Sequence, residues 1–494
     1  MKKRLYAMVF LRWLSVASLV PGLALAQAPD AKNRQQNSTT CIDCLKIRVG
    51  SPIVARGPGP DIEDFSVIQL PDGRFRGFIA GGRTYAIDGK NLWDMGGPRR
   101  LVFDIGAPGT YDSCGQWIHH VEQSGSKIIA WVHNETECHY AAHGQSHMST
   151  SLAISNDYGL TWKDYGRILT GTDSPTPNKI TGEDCVAVIV RDGYYYAYSG
   201  RYRDGRTIVA RAPVSDPGPG KWMKYFQGKW DQPGLGGDAT GLARGVGDRG
   251  ALWTTTGQIL MLGWEHGGIT LLSSADGMTF TTLREPLMYV GAGRVSWSRP
   301  GPTELIAYPV LLDAKTGSTE ISNSWALVYM YVQPNEGMAK RYLIVRLVEV
   351  SVSNSPVSPQ VGVLLARWYN AKLQDRWSTT EAVPPGNDGA YQLEAKLGFL
   401  MTAADPQRPS VELEDCESRR GQHLDHVLAP KGECESHGYQ VQRTAGFVYA
   451  APQPGTQPLY SCSSESGKSH FAAISQDCHH LGKQEGLVGY DLKE

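Results

Sequence analysis

Hydrophobic residues in this chain cluster in short stretches that end at turn-forming residues, and few stretches have the spacing of an amphipathic helix. In the most regular example, a stretch rich in valine and isoleucine leads to Asp192-Gly193, and a tyrosine-rich stretch, 194–198, follows. This layout predicts a β-hairpin, because valine, isoleucine and tyrosine favour strands and Asp-Gly favours a tight turn. With 56 glycines and 29 prolines between such stretches, we predict an all-β chain.

The same hairpin layout occurs three times. In each copy an aspartate stands nine residues before the turn glycine: Asp64 before Gly73, Asp184 before Gly193 and Asp248 before Gly257. Residues from about 60 to 350 divide into five strand-rich units, each about as long as one four-stranded blade. The pattern therefore predicts a five-bladed β-propeller whose carboxylates point into one central pocket.

Two of these units contain a further turn motif. Residues 155–162 have the form SxDxGxTW, and residues 274–280 are a degenerate copy. The motif resembles the Asp box of sialidases and related propellers. An aspartate in such a turn accepts backbone N–H bonds, and the aromatic residue packs against the blade. We therefore expect Asp157 to stabilise a turn between outer strands and to have no catalytic role.

The pattern changes beyond residue 350. A linker-like stretch, 351–359, precedes three repeats that each end in glycine and an aromatic residue, at Gly398, Gly446 and Gly489. Three such repeats predict a small β domain with threefold pseudosymmetry, β-trefoil-like. The three repeats resemble the LYxC…DHF…GY repeats that are appended to secreted bacterial enzymes. That resemblance implies binding to a polysaccharide or cell surface, and the alternative is a structural cap.

The N-terminus has the pattern of a secretory signal. Lys2-Lys3-Arg4 precede an apolar stretch, and Ala24-Leu25-Ala26 form a small-residue cleavage site. The apolar stretch is too short for a membrane span, and no later segment is long enough either, so no membrane partner is predicted. We expect a signal peptide over 1–26 and a secreted or periplasmic protein. The remaining boundaries are a linker or tail at 27–55, a propeller catalytic domain at 56–350 and the three-repeat module at 360–494.

Export permits disulfide bonds among the nine cysteines. The similar placement of four cysteines in two C-terminal repeats favours pairing within each repeat, and two more flank a predicted hairpin. The predicted pairs are Cys416–Cys434, Cys462–Cys478 and Cys114–Cys138. Cys41 and Cys44 form a CxxC motif without a second metal-binding pair nearby, so a local disulfide or free thiols are expected there. Cys185 remains as a small apolar side chain.

Charge excludes one class of partner. The 494 residues carry 48 Lys and Arg against 49 Asp and Glu, for a formal net charge of −1. A balanced charge provides no basic surface for nucleic acid, so no nucleic-acid partner is predicted.

The order of the five units, with an aspartate before hairpins one and three, resembles the five-bladed glycosidases of the arabinanase group, notably glycoside hydrolase family 43. The resemblance covers about residues 60–350 and implies a carbohydrate substrate. That family uses an aspartate base on blade one, an orienting aspartate on blade three and a glutamate acid on blade four. By position, Asp64 matches the base and Asp184 the orienting residue. Blade four has Asp248 where the family has glutamate, and Glu265 lies one strand later, so both are candidate acids.

Further polar residues crowd the second unit. One interpretation is a metal site or a histidine acid/base, and the other is a substrate-binding wall with His133 and Glu135 on one strand face. We prefer the second, because the histidines lack HxH or HExxH spacing, and we predict no metal or cofactor. The predicted substrate-binding residues are His119, His120, His133, Glu135, Arg83 and Trp117.

Three alternative functions remain open. The histidine-rich second unit also fits a polysaccharide lyase, in which histidine and tyrosine move a proton beside a uronate. The stretch from Leu70 to Asp88, which includes Arg83, resembles the first part of a sialidase, where an arginine and an acid follow the first hairpin. However, Glu63-Asp64 stand where a sialidase has an arginine for the substrate carboxylate. A propeller that only binds glycan is the third alternative.

Overall fold

The structure, a computed structural model, describes residues 45–140, 144–242, 250–265, 268–283, 285–290, 297–352, 360–381, 391–420 and 423–493. Nearly all regular structure in these ranges is β-strand. Within them, no helix is long and apolar enough to cross a membrane. The predicted signal peptide lies outside the described residues.

The first three blades follow one another along the chain, and within each blade neighbouring strands are antiparallel. Blade one contains β2 (Phe65–Gln69), β3 (Phe75–Ala80), β4 (Thr84–Gly89) and β5 (Arg99–Phe103). Blade two contains β6 (Gly115–Ser124), β7 (Lys127–His139), β8 (Gln145–Ser155) and β9 (Lys163–Thr170). Blade three contains β10 (Ile180–Arg191), β11 (Tyr194–Arg201), β12 (Arg206–Pro213), β13 (Met223–Phe226) and β14 (Lys229–Pro233).

Blades four and five are less regular. Blade four contains β15 (Gly250–Trp253), β16 (Gln258–Glu265), β17 (Gly268–Ser274) and β18 (Thr281–Thr282), with β19 (Met288–Tyr289) and β21 (Glu320–Ile321) at its edges. Blade five contains β20 (Leu305–Asp313), β22 (Ser324–Val332), β23 (Arg341–Val352) and β1 (Leu45–Gly59).

The first strands of the blades form a closed ring. β2 lies beside β6, β6 beside β10, β10 beside β15, and β15 beside β20. Phe65 and Val67 of β2 share a hydrophobic core with Val310 and Leu312 of β20, which closes the ring. The predicted five-bladed β-propeller is therefore confirmed.

The fifth blade is completed by the N-terminal strand. β1 pairs antiparallel with β23, and its Ile47 and Val49 are fully buried. The sequence prediction of a linker over 27–55 is therefore wrong for residues 45–55, because their alternating apolar side chains fill the core of this blade. Residues 27–44 lie outside the described residues.

The C-terminal module consists of three similar repeats. Their strands are β24 (Gln360–Asn370), β25 (Asp375–Thr379) and β26 (Tyr391–Met401); β27 (Ser410–Arg420), β28 (His423–Pro430) and β29 (Gln440–Tyr449); and β30 (Thr456–Ser464), β31 (His470–Ala473) and β32 (Gly482–Leu492). A short helix, α1 (Glu433–Ser436), lies in the second repeat. In each repeat the first strand pairs with the other two, and the third strands β26, β29 and β32 pair with one another.

The predicted glycines mark this threefold arrangement. Gly398, Gly446 and Gly489 all have positive φ, and a Cβ on each would come within about 3 Å of the backbone of a third strand in a neighbouring repeat. Only glycine permits both the conformation and the close approach. The threefold repeat is thus present, whereas its further likeness to a β-trefoil stays a prediction.

Other sequence predictions about the fold are confirmed. The three disulfides Cys114–Cys138, Cys416–Cys434 and Cys462–Cys478 are all formed. Asp157 accepts hydrogen bonds from the backbone N–H groups of Leu160 and Thr161, in the turn between β8 and β9. Burial alone would raise the pKa of Asp157, but these bonds and those from the hydroxyl groups of Thr161 and Ser155 lower it to about 2.

Candidate active site

The ring of inner strands surrounds a group of mostly buried polar side chains, which we call the central cluster. Its members are Glu63, Asp64, Trp117, His119, His133, Glu135, Asp184 and Tyr308. Asp64 stands immediately before β2, and Asp184 lies near the start of β10. Both aspartates are almost fully buried, at 5% and 2% exposure. The structure therefore brings together the two aspartates that share a position in the sequence repeat.

A β-bulge places His119 in the central cluster. In the pairing of β6 with β7, Ile118 faces Val132 and His120 faces Trp131. His119 is therefore the extra residue of the bulge, with no residue of β7 directly opposite its backbone. A bulge of this kind turns a side chain away from the regular alternation of the strand. His119 and His120 consequently have different environments although they are neighbours in the chain.

The imidazole of His119 lies between the two aspartates. Its Nε2 is 3.3 Å from Asp64 Oδ2, and its Nδ1 is 3.9 Å from Asp184 Oδ2. Because one five-membered ring bridges them, the two carboxylates are less than about 10 Å apart, within the range over which paired carboxylates act in glycoside hydrolysis.

His133 and Glu135 lie on one face of β7, as the alternation of the strand predicts. His133 Nε2 is 3.0 Å from Glu135 Oε1, and His133 Nδ1 is 3.3 Å from Asp184 Oδ2. Burial alone would lower the pKa of His133, but the carboxylates of Asp184 and Glu135 raise it to about 10. The rings of His133 and His119 are stacked, with centroids 4.7 Å apart.

Glu63 connects the cluster to the fifth blade. Its carboxylate pairs with Arg341 at 2.7 Å and accepts a hydrogen bond from Trp117 Nε1 at 2.9 Å. Burial raises the pKa of Glu63, and these two partners oppose that shift. The predicted binding residue Trp117 thus lies in the cluster, where its ring also contacts His133 at 5.2 Å between centroids.

Two tyrosines were not found by sequence reasoning. Tyr308 has a φ of 52° and lies at a register shift in β20, between Ala307 and Val310. Burial and the charges of nearby Glu63 and Asp64 raise its pKa, so its hydroxyl stays protonated. Tyr140 donates a hydrogen bond to Glu135. Neither position has a local sequence signal, because only the pairing of distant strands reveals them.

Two predicted binding residues lie outside the cluster, which corrects their assignment. His120 packs edge-on against Trp131 and contacts Glu122, because the bulge at His119 returns the strand to its regular alternation. Arg83 is half exposed and pairs with Asp104 at 2.6 Å, since it lies in the turn between β3 and β4.

The candidate acids of blade four have no described side chain. Asp248 lies outside the described residues. Glu265 is the last residue of β16, and the structure describes its backbone alone. Both therefore stay predictions. Glu183, the neighbour of Asp184, pairs with the buried Lys224 at 2.6 Å, so it is engaged in a separate ion pair.

The C-terminal module contains a second candidate site. A cavity of about 790 Å³ lies between its second and third repeats, lined by Asp425, Tyr439, His470 and Glu485 among others. Asp425 accepts hydrogen bonds from Tyr439 Oη at 2.6 Å and from the His470 backbone N–H at 2.8 Å. Ligand cavities commonly have volumes of about 300–1,000 Å³.

The first and second repeats form a smaller counterpart of this cavity. Tyr391 and His426 both contact Asp375, and with Trp377 they line a cavity of about 380 Å³. At the third equivalent place Ser469 accepts a bond from the backbone of Arg376, which also pairs with Glu394. Two of the three pseudosymmetric places therefore share an Asp–His–Tyr group.

The sequence matches no protein-family model and no curated protein sequence. Among solved structures, part of the chain is similar to an α-L-arabinofuranosidase from Lactobacillus brevis, with 13% identity, 60% of this chain and 91% of that chain covered, and a TM-score of 0.38. It is also similar to a family 117 glycoside hydrolase from Zobellia galactanivorans (12% identity, 63% and 92% covered, TM-score 0.40). A third similar structure is an arabinanase from Bacillus subtilis (12% identity, 59% and 96% covered, TM-score 0.35).

Proposed function

We propose that this protein is a glycoside hydrolase that cleaves a glycosidic bond by carboxylate acid/base catalysis at the centre of the propeller. The observation that supports this best is the convergence of Asp64 and Asp184, from different blades, on the two nitrogens of His119. Hydrolysis of a glycosidic bond needs one carboxylate that accepts a proton and one acid that delivers a proton to the leaving oxygen.

In the proposed mechanism Asp64 is the base. It takes a proton from the attacking water while the water oxygen bonds to the anomeric carbon. The acid gives its proton to the leaving oxygen, so the glycosidic C–O bond breaks without net charge formation. Asp184 orients the site through His119 and His133, and Glu265 or Asp248 of blade four supplies the acid, as the sequence predicts.

The charges of the central cluster favour a neutral sugar. Glu63, Asp64, Glu135 and Asp184 are all carboxylates, and Arg341 is already paired with Glu63. Among the described residues these four carboxylates outnumber the cations Arg341 and His133, so a substrate carboxylate would meet repulsion at low dielectric. This argues against a sialic acid and against a uronate, and so against the sialidase and lyase alternatives.

The lyase alternative retains one point of support. His119 and the protonated Tyr308 lie in the same cluster, and a lyase uses a histidine and a tyrosine to move a proton beside a uronate carboxylate. That reaction also needs a cation to neutralise the carboxylate, and Arg341, the arginine that the described part of the cluster contacts, is paired with Glu63.

A panel of polysaccharides separates these functions. We expect the purified protein to release reducing sugar from a neutral poly- or oligosaccharide, with no unsaturated product, and to leave polymers of uronic or sialic acid intact. Positively and negatively charged polysaccharides of matched size serve as controls. Formation of an unsaturated uronate would identify a lyase. Binding without any product from the whole panel would favour a propeller that only binds glycan.

We propose further that the protein is exported and that its C-terminal module binds glycan. The cysteine pairs and the signal-like N-terminus support export. The cavity beside Asp425, Tyr439 and His470 supports binding, because a sugar presents hydroxyl groups to carboxylate and imidazole and a ring face to tyrosine.

Replacement of Glu485 tests this binding site. Glu485 lines the cavity and lies 3.5 Å from His470 Nε2. In a chain whose activity is lowered by Asp64→Asn, we expect Glu485→Gln to weaken retention on the insoluble substrate at least ~10-fold, since one hydrogen bond to a charged group contributes about 1.5–3 kcal/mol. Glu435→Gln on α1, outside the cavity lining, is the matched control. Equal retention of both variants would assign the module a structural role.

A further inference from the structure

The smaller cavity of the C-terminal module has a second wall that belongs to the propeller. Besides Trp377, Tyr391 and His426, its lining includes residues 333–336, which lie in the loop between β22 and β23 of blade five. We call it the interface cavity. Its volume of about 380 Å³ lies within the range of about 300–1,000 Å³ that is typical of ligand cavities. A ligand bound there would contact both parts of the chain.

The loop lies at the end of blade five that contacts the central cluster. Val332, the last residue of β22, pairs with Arg341, the first residue of β23. Arg341 in turn forms the ion pair with Glu63 of the cluster. The loop begins at the next residue, 333, so the interface cavity and the central cluster lie at the same end of this blade.

A short segment before β20 connects the cluster with the loop. The guanidinium of Arg299 donates hydrogen bonds to the backbone carbonyl groups of Gln333 and Glu336, which holds the loop in place. Two residues earlier, Trp297 is 52% exposed, and its ring packs against Tyr308 of the cluster with centroids 5.6 Å apart. An exposed indole ring provides a flat apolar surface on which the face of a sugar ring packs.

The imidazole of His426 provides a hydrogen-bonding group in the interface cavity. Its Nδ1 lies 2.7 Å from the fully buried carboxylate of Asp375. This carboxylate holds the ring proton at Nδ1 and leaves a lone pair on Nε2. Nε2 lies 3.9 Å from Glu417, beyond hydrogen-bond distance, so it can accept a bond from a ligand hydroxyl group.

The charges that line the interface cavity are balanced. The lining contains two carboxylates and two guanidinium groups, and each of them has an ion-pair partner. The pairs are Glu336–Lys340, Glu417–Arg419 and Arg443–Glu304. Such a lining favours neither an anionic nor a cationic ligand. Gln333 and Gln442 add amide donors and acceptors, which suit the hydroxyl groups of a neutral sugar.

We propose that the interface cavity binds a sugar unit of the same neutral polysaccharide that is cleaved at the central cluster. The bound polysaccharide extends from the cluster past Trp297 and the loop onto the module. This inference rests on the proposed function. It gives the module a direct part in substrate binding, in addition to the separate site beside Asp425.

Kinetics on a long and a short substrate test the proposal. Gln333→Ala removes an amide from the propeller wall, and Gln442→Ala removes one from the module wall. For the neutral polysaccharide from which the wild-type chain releases reducing sugar, each variant should raise KM ~3–10-fold with kcat unchanged, as expected for one lost neutral hydrogen bond. For an aryl glycoside of the same sugar, which reaches the central cluster alone, both constants should stay unchanged.

Gln407→Ala is the matched control, because Gln407 is exposed between β26 and β27 and does not line the cavity. It should leave KM and kcat unchanged on both substrates. An unchanged KM for the polysaccharide in either cavity variant would overturn the inference and leave the proposed hydrolysis intact. An equal rise in KM on both substrates would also overturn it, because the replacement would then act on the central cluster.

Retention in native gels that contain soluble neutral polysaccharides gives a readout without catalysis. In a Glu485→Gln background, which weakens the other cavity, we expect Gln333→Ala and Gln442→Ala to reduce retention at least ~3-fold relative to Gln407→Ala. If the wild-type chain is retained but hydrolyses none of the polymers, the proposed function fails, and the same reduction would still support a glycan site in the interface cavity. No retention, or retention equal to that of the control, would overturn the inference.

Discussion

Replacing Asp64 by asparagine should lower turnover of a glycosidic substrate at least ~100-fold, the lower end of what one acid/base group contributes. The asparagine keeps the shape of the side chain but cannot accept a proton from water. Turnover measured at several substrate concentrations should show the loss in kcat, because Asp64 acts on the water and not on substrate affinity.

The matched control for this variant is Asp72→Asn. Asp72 lies in the turn of the same hairpin and is exposed, where it pairs with Arg74. Its replacement should leave both turnover and thermal stability unchanged within error. A fully active Asp64→Asn variant would refute the mechanism, and a variant with lost activity and a much lower melting temperature would have to be compared with Asp64→Ser before the result is interpreted.

The placement of the two aspartates was predictable from sequence because it depends on local geometry. Asp64 and Asp184 each precede a turn glycine by the same number of residues, and equal spacing from the turn puts both at the same end of their blades. The shared face of His133 and Glu135 follows in the same way from the alternation of a strand.

Other members of the cluster depend on strand register, which the sequence does not show. The bulge that separates His119 from His120 is visible only when β6 is aligned with β7. The register shift that places Tyr308 in the cluster depends likewise on the pairing of β20 with β22. One-residue shifts of this kind exchange the two faces of a strand. The density of histidines in the second unit therefore selected His120 as well as His119, without showing which of the two enters the cluster.

Contacts between distant parts of the chain were also missed. β1 pairs with β23, from the far end of the propeller sequence, and then with β24 of the C-terminal module in parallel. Arg341 and Glu63 form an ion pair over a similarly long stretch of sequence. The linker-like composition around 351–359 predicted separate domains, but the propeller and module share a continuous sheet through β1.

Arg443 is the centre of a buried ionic contact between these two parts. It lies on β29 of the module and pairs with Glu304 of the propeller at 2.9 Å and with Asp415 at 3.3 Å. Glu381 lies 3.9 Å away. Burial alone would lower the pKa of Arg443, but these carboxylates raise it above its ordinary value, so the guanidinium stays charged.

Replacing Arg443 by methionine should lower the free energy of unfolding by about 3–5 kcal/mol near neutral pH. Methionine fills much of the volume, but it removes the guanidinium that pairs with Glu304 and Asp415. Glu381 keeps its contact with Arg346 at 3.8 Å. Mutual repulsion makes each carboxylate bind a proton more readily in the folded variant than in the unfolded chain, so the loss should shrink as the pH falls. Denaturant unfolding at two pH values measures both effects.

Arg408→Met is the control. Arg408 is half exposed and lies 4.0 Å from Asp405, and a surface pair of this kind contributes at most about 1 kcal/mol. Equal losses in the two variants, or a loss at Arg443 that grows in acid, would show that Arg443 does not neutralise the three carboxylates.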